Sequence, residues 1–530
     1  MTTATGAPPI ESRPGTIAAR AFGVIAIGGV ALFGLVSLAF VVRGRLNADE
    51  GWYLYAGRLV WRGEIPFRDF SFTQMPLVPY VYGLFQLPEP SLYVGRLVSF
   101  AFATTAVALS VRVAWREAGR ASAAAVAVLC LAFPTGIYNL TLTKTYALVA
   151  FLLAAILAAL TSPGRRTFTF PVATAAATGL ALTRTSGIPL ACFVVAYAIW
   201  RAPDRVTRWR AAIVPAIGAI FAGTLVLLDP SAARFGLSTF HQLLWHHAST
   251  RTRIDTILTD RIPEWASHYW GYLLLTAVAL LAVALSSDVR RYVREKPVYL
   301  MMTVGLILYL GVQLVAGQWA PIEYVAPVVP VVAAMATVLV FRWCFGPSGT
   351  RPAFRLAPLV VGGAVLALAV LTIFHPSARG YLVDDATPGT IAAADRVADY
   401  VSAHTDPSDE VLALWGQPQT LAADRDLVHD ATFGIFSYED LNTRHAKELH
   451  YVNQRRLVDL LESGTPAAVV LTDLDRMLFD FRGSLSHRRT DPDTIPSALA
   501  RHYRKVYSDT GWGTDGPIGV DVYLRNDRTP

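Results

Sequence analysis

NADEGWYLYAGRLVWRGEIPFRDF occupies residues 47–70, and SFTQMPLVPY follows at 71–80. Immediately upstream lies an apolar run at 21–42. That run is long enough to cross a bilayer, whose hydrocarbon core takes about 20 consecutive apolar residues in a helix. The chain therefore leaves the membrane on an acidic pair, Asp49 and Glu50, and enters an amphipathic segment at about 50–62 rich in Trp and Tyr. Such a segment is expected to lie in the interface rather than to span. Partial desolvation of a carboxylate at that depth favours its use as a general base. The plainer role for the same residues is Asp49 as a helix cap and Glu50 as a charge favourable to the helix dipole.

Further spans follow when the same length test is carried along the 530 residues. The chain is 53% hydrophobic and 16% charged, against about 25% charged in an ordinary soluble domain. Apolar runs fall near 21–42, 91–113, 121–138, 143–160, 169–183, 186–200, 210–228, 269–286, 297–316, 323–343 and 356–374, giving about eleven transmembrane helices. The first run is too long for a signal peptide, and Val41-Val42-Arg43 offers no small-residue cleavage site. Basic clusters sit on alternate connections: Arg116 and Arg120; Arg165 and Arg166; Arg201 to Arg210; Arg290 to Lys296; Arg342 to Arg355. The positive-inside rule puts these in the cytoplasm. A short N-terminal tail (1–20) is then cytoplasmic, and two long loops, 43–90 and 229–268, face outward. An odd span count places the C-terminus outside as well.

After Phe374 the composition shifts to Asp, Arg and His. Helical periodicity at 390–404 and 452–463 alternates with short buried strands at 410–415 and 467–472, and strands near 503–508 and 518–525 form a terminal hairpin. Residues 376–530 are thus expected to be an extracytoplasmic α/β domain following a membrane domain at 21–375. The net charge of +7 resides mostly in the interhelical arginines, and no nucleic-acid motif accompanies it. Cys130, Cys192 and Cys344 lie in or beside apolar runs and match no metal spacing.

Beyond this physical reading, the acidic pair after the first helix, Ala56-Gly57-Arg58-Leu59, Gly63-Glu64-Ile65-Pro66-Phe67-Arg68-Asp69-Phe70 and Pro76-Leu77 ahead of Tyr80 resemble the GT-C class of membrane glycosyltransferases. The resemblance is to the bacterial branch with protein O-mannosyltransferase-like and aminoarabinose-transferase-like enzymes. Gln318-Trp-Ala-Pro-Ile-Glu323-Tyr324 ahead of Pro327 and Pro330 is similar to a late loop of that class. The resemblance implies sugar transfer, with inversion, from a polyprenyl-phosphate donor to a hydroxyl of a cell-envelope glycan, lipid or protein. It makes Asp49 the catalytic base, assisted by Glu50. Charge on the leaving phosphate calls for cations, and the outward candidates are Arg58, Arg68, Lys144 and Arg184. Many relatives carry Lys-Pro-Pro where this chain has Gln74-Met75-Pro76.

Four histidines lie in the 229–268 loop, and His246 and His247 are the candidates for a divalent metal. Thr472-Asp473-Leu-Asp475 after a buried strand offers a rival, the Asp-x-Asp of nucleotide-sugar transferases, although Asp-rich strand ends are common turns. Two other function classes stay open: a transporter or lipid flippase, for which no internal repeat is visible, and a non-catalytic GT-C relative.

Overall fold

A computed structural model describes residues 16–87, 89–162, 166–243, 249–316, 322–345, 363, 389–480, 494–512 and 518–528. Nine helices open the chain: α1 (Thr16–Arg43), α2 (Asp49–Trp61), α3 (Leu77–Leu84), α4 (Leu92–Leu131), α5 (Pro134–Thr141), α6 (Thr145–Thr161), α7 (Arg166–Thr183), α8 (Ile188–Arg201) and α9 (Arg205–Leu228). Long helices at Ile262–Leu285, Val298–Ala316 and Val329–Phe345 complete the described part of the bundle. Among the described residues six helical stretches are long and apolar enough to cross a membrane, or seven if α5 and α6, bent by 105°, form one broken span. This is a multi-pass membrane protein.

The expected eleven spans differ from this number for three reasons. The run at 356–374 lies outside the described residues. The runs at 169–183 and 186–200 form α7 and α8, the latter only 14 residues long. The runs at 91–113 and 121–138 count as one stretch because both lie in α4, but α4 is two helices that meet at Gly119, with φ 89°, so the two expected runs are present as separate segments. Glycine alone enters that region cheaply, and the chain reverses there. Gly34 of α1 lies against Thr104, Gly23 against Trp115 and Arg120, and Gly29 against Ala127. Moving back along α1, α4 descends, turns, and returns alongside itself. Near this turn Arg116, Arg166, Lys296 and Arg342 line one cavity of about 470 Å³. Several of the basic connections therefore meet at one end of the bundle.

The segment at 50–62 forms α2, which protein covers from Glu50 to Val60. Small residues make this possible: a Cβ on Gly57 would come within 2.8 Å of Gly83 Cα, and one on Gly51 within 2.7 Å of Pro418 N. The second contact is with the C-terminal region. There, a five-stranded sheet has the order β2-β1-β3-β5-β4, from β1 (Glu410–Ala413), β2 (Asp426–Leu427), β3 (Ala468–Thr472), β4 (Tyr503–Trp512) and β5 (Ile518–Arg525). β1 is parallel to β2 and β3, while β5 is antiparallel to β3 and β4. All five residues of β3 are buried, as a central strand covered on both faces requires. Helices Ile391–Ala403, Gln454–Glu462 and Thr494–His502 accompany the sheet. It meets α2 through Leu427 N–H donating to Tyr55 Oη at 2.8 Å and through Trp52 edge-on to Phe433 at 4.5 Å.

Candidate active site

The corner between α1 and α2 sets the position of Asp49. Asn47 Oδ1 accepts the Asp49 N–H at 3.0 Å, and Glu50 Oε1 accepts the Asn47 N–H at 3.0 Å. These bonds leave the Asp49 carboxylate free of capping duty, since α2 starts without a side-chain cap. It meets Lys144 Nζ at 2.8 Å, and the same ammonium meets Glu323 Oε1 at 2.8 Å. Glu323 also accepts from Tyr146 Oη at 2.7 Å. Lys144 lies at the break between α5 and α6 with 2% exposure, whereas Asp49 keeps 28%. The ammonium is enclosed and the carboxylate faces open space.

That space is a cavity of about 390 Å³ bordered by Asp49, Tyr146, Arg184 and Glu323 on the bundle side and Phe433 and Phe436 from the C-terminal region. Arg184 precedes the short turn Thr185–Gly187. Its guanidinium donates to Thr145 Oγ1 at 3.2 Å and Gln313 Oε1 at 3.1 Å and stacks 4.6 Å over Tyr324. Among the described residues no carboxylate pairs with it. A buried cation held only by neutral partners is a costly arrangement that an incoming anion relieves. His241 also borders the cavity and donates through Nε2 to the Thr73 carbonyl at 3.1 Å. Burial lowers its pKa, so the ring is neutral near pH 7.

The remaining sequence candidates are placed elsewhere. Glu50 does not border the cavity. Its carboxylate takes Arg96 Nε at 2.8 Å and Nη2 at 2.7 Å and the Thr143 N–H at 3.0 Å, with both side chains fully buried. Arg96 further donates to the Gly44 and Arg45 carbonyls at 2.9 and 2.7 Å. Glu50 is thus a structural counter-ion beside the site, which corrects its reading as a catalytic partner. Arg58 pairs with Asp424 at 2.7 Å and Asp426 at 3.2 Å, joining α2 to the C-terminal sheet. Arg68 is spent on its neighbour Asp69, at 2.7 Å. Neither arginine reaches the cavity. His246 and His247 lie outside the described residues.

Within the Asp-x-Asp stretch, Asp475 forms a capping box with Thr472. Thr472 Oγ1 accepts the Asp475 N–H at 3.2 Å, while Asp475 Oδ2 accepts the Thr472 N–H at 2.7 Å. Asp473 instead bonds Arg476 and the Gly519 N–H, so the two carboxylates do not converge. Sequence reasoning missed Glu323, Tyr146 and Gln313 as cavity groups. Glu323 sat inside the late loop already singled out, and a carboxylate beside an apolar run was its available signal. Arg96, a charge inside an apolar run, offered the same signal.

The sequence matches no protein-family model and no curated protein. Among solved structures, the chain is similar to ArnT from Cupriavidus metallidurans bound to undecaprenyl phosphate. The TM-score is 0.55 at 15% identity, covering 95% of this chain and 98% of that one. The apo form of the same ArnT gives 0.54 at 14% identity, with the same coverage. The arabinofuranosyltransferase AftD from Mycobacteria aligns at a TM-score of 0.46 and 16% identity, over 96% of this chain and 40% of that one. The described bundle, the loop after α1 and the C-terminal region together have the fold of the GT-C membrane glycosyltransferases.

Proposed function

We propose that the chain is a glycosyltransferase moving a sugar from a polyprenyl-phosphate donor to an acceptor hydroxyl on the outer face of the plasma membrane. The placement of Asp49 and Arg184 on one cavity, with the enclosed Lys144 ammonium directly behind Asp49, carries this reading. Lys144 lies between Asp49 and Glu323. A donor phosphate competes for that ammonium and for the unpaired Arg184 guanidinium, and so frees Asp49. The Asp49 carboxylate then takes the proton of the acceptor hydroxyl while its oxygen attacks the anomeric carbon. The bond between the anomeric carbon and the phosphate oxygen breaks with its electron pair passing to that oxygen, and polyprenyl phosphate departs with its added negative charge stabilised by the two cations. Attack opposite the leaving group inverts the anomeric centre. Glu50 and Arg96 act as positioning residues, fixing the corner from which Asp49 projects. Gln74, also at the cavity edge, stands where many relatives carry the lysine of Lys-Pro-Pro, and Lys144 with Arg184 supplies the charge. The bundle (21–375) is the catalytic part, and the region after 376 is an extracytoplasmic domain that closes the cavity through Phe433 and Phe436.

The test is incubation of purified protein with a panel of labelled polyprenyl-phosphate sugars and envelope acceptors. One donor should lose its label to an acceptor, and Arg184→Gln should raise the KM for that donor at least about tenfold, as loss of a charge-assisted phosphate contact does. An unchanged donor KM in the variant contradicts the assignment.

A further inference from the structure

The geometry points to a zinc-class metal site at His429, Asp430 and His450, outside the cavity and independent of sugar transfer. The metal-ligating atoms of these three residues all lie within 4.8 Å of one another. His429 Nδ1 is 2.7 Å and His450 Nδ1 3.1 Å from the same atom, Asp430 Oδ1. Around a tetrahedral zinc, with bonds of about 2.0–2.2 Å, ligand atoms stand roughly 3.3 Å apart. An ion there requires the His429–Asp430 pair to open by about 0.6 Å and the His450–Asp430 pair by about 0.2 Å.

The backbone and the surroundings fit the same use. Asp430 and His450 are two of only four non-glycine residues described with positive φ, at 69° and 60°. Such conformations persist where surrounding structure over-determines them, and they gather at functional positions. Here both aim their side chains at one point. Arg456 Nη2 donates to Asp430 Oδ2 at 2.5 Å. It orients the carboxylate and leaves Oδ1 to the imidazoles, the arrangement that outer-shell partners give metal ligands. Glu64 and Glu410 act electrostatically on His429, and Asp69 on His450. These carboxylates offset the charge a dication adds beside Arg456. Two imidazole nitrogens and one carboxylate form a borderline donor set that suits zinc over calcium or magnesium. His429 is 68% exposed, which leaves the fourth position open to water.

The site's location gives it a role. Phe433, three residues after Asp430, packs on Trp52 of α2 and borders the cavity. Tyr451, next to His450, packs on Phe235 of the second long loop with ring centroids 5.1 Å apart. An ion joining Asp430 to His450 fixes both contacts and holds the C-terminal region on the outer loops.

Full-length protein in detergent, stripped with EDTA, reloaded with zinc and desalted, tests the site by elemental analysis. The expected result is about one zinc per chain, the count for a single three-ligand site. His429→Gln should weaken zinc affinity at least about tenfold, in line with loss of one ligand or its support. Because His429 is exposed, that variant is not expected to disturb folding. Asp430→Asn, which suits the same positive φ, should behave alike, while His241→Gln at the cavity should retain the metal. Zinc should also raise the melting temperature of the wild type and not of His429→Gln. Less than half a zinc per chain in the wild type overturns the inference, as does equal zinc affinity in wild type and His429→Gln.

Discussion

Lys144 is shared by two carboxylates, and that sharing sets what substitutions at the site do. Lys144→Gln leaves Asp49 and Glu323 facing each other without their cation and removes the ammonium proposed to meet the donor phosphate. Donor binding should weaken at least about tenfold, measured as KM for the labelled donor. Glu50 behaves differently because it touches no cavity. Glu50→Gln strands the fully buried Arg96, and breaking such a pair costs about 3–5 kcal/mol. The variant should show a large fall in melting temperature in detergent. Asp475 gives a pH signature: burial pushes its carboxyl up from 3.8 to about 6, against the bonds from Trp415 and Thr472. The folded state therefore binds a proton that the unfolded state has released. Asp475 contributes stability that is full below about pH 4 and is lost as pH rises through 6, a swing on the order of 3 kcal/mol. The difference between wild-type and Asp475→Asn melting curves should fade in slope above pH 6 and below pH 4. Asp49, Lys144 and Arg184 were legible in the sequence as charges at the edges of apolar runs, where an unused charge is expensive. Arg58 and Arg68 carried the same signal in the same loop, but their partners are fixed by tertiary contact: Asp424 and Asp426 lie far along the chain. His429 and His450 could not be found by spacing, because a fold rather than a motif brings them onto Asp430.

At the scale of elements, apolar run length identified helices well and their ends poorly. Gly119 is one residue in a 40-residue helix, yet it makes two antiparallel segments of it, and the paired runs at 91–113 and 121–138 anticipated that reversal. The protein cover of α2 was harder to read. Its aromatic content suits an interface with or without that cover, and only the approach of Gly51 to Pro418 and Gly57 to Gly83 reveals it. Gly51→Val tests this. Its side chain would begin 2.7 Å from the Pro418 nitrogen, a backbone atom that cannot rotate away. The C-terminal region should lift from α2, seen as faster limited proteolysis after residue 389 and a loss of transfer with it. Overpacking of this kind costs about 1–3 kcal/mol. The strands at 410–415 and 467–472 were legible because central parallel strands are continuously apolar, whereas two-residue β2 carries no readable pattern.

Over the whole molecule, the fold gathers Asp49, Lys144, Arg184 and Glu323 at one end of the bundle and several basic connections at the other. Lys144 immediately precedes α6 beside Asp49, and Thr161 ends it beside Arg116, which donates to Thr161 Oγ1 at 2.5 Å. The C-terminal region then roofs the Asp49 end through Phe433 and Phe436. A transferase acting on a membrane-anchored phosphate needs this separation: the donor chain stays in lipid while its phosphate and sugar reach a partly closed polar chamber. Asp49 is the one group in that chamber assigned to take the acceptor proton, so its amide variant is the most direct measurement. Purified Asp49→Asn should lose transfer from the labelled polyprenyl-phosphate sugar at least about 100-fold in kcat, the scale of a missing general base, with its melting temperature and donor KM close to wild type. Transfer at the wild-type rate by a folded Asp49→Asn protein would contradict the assignment.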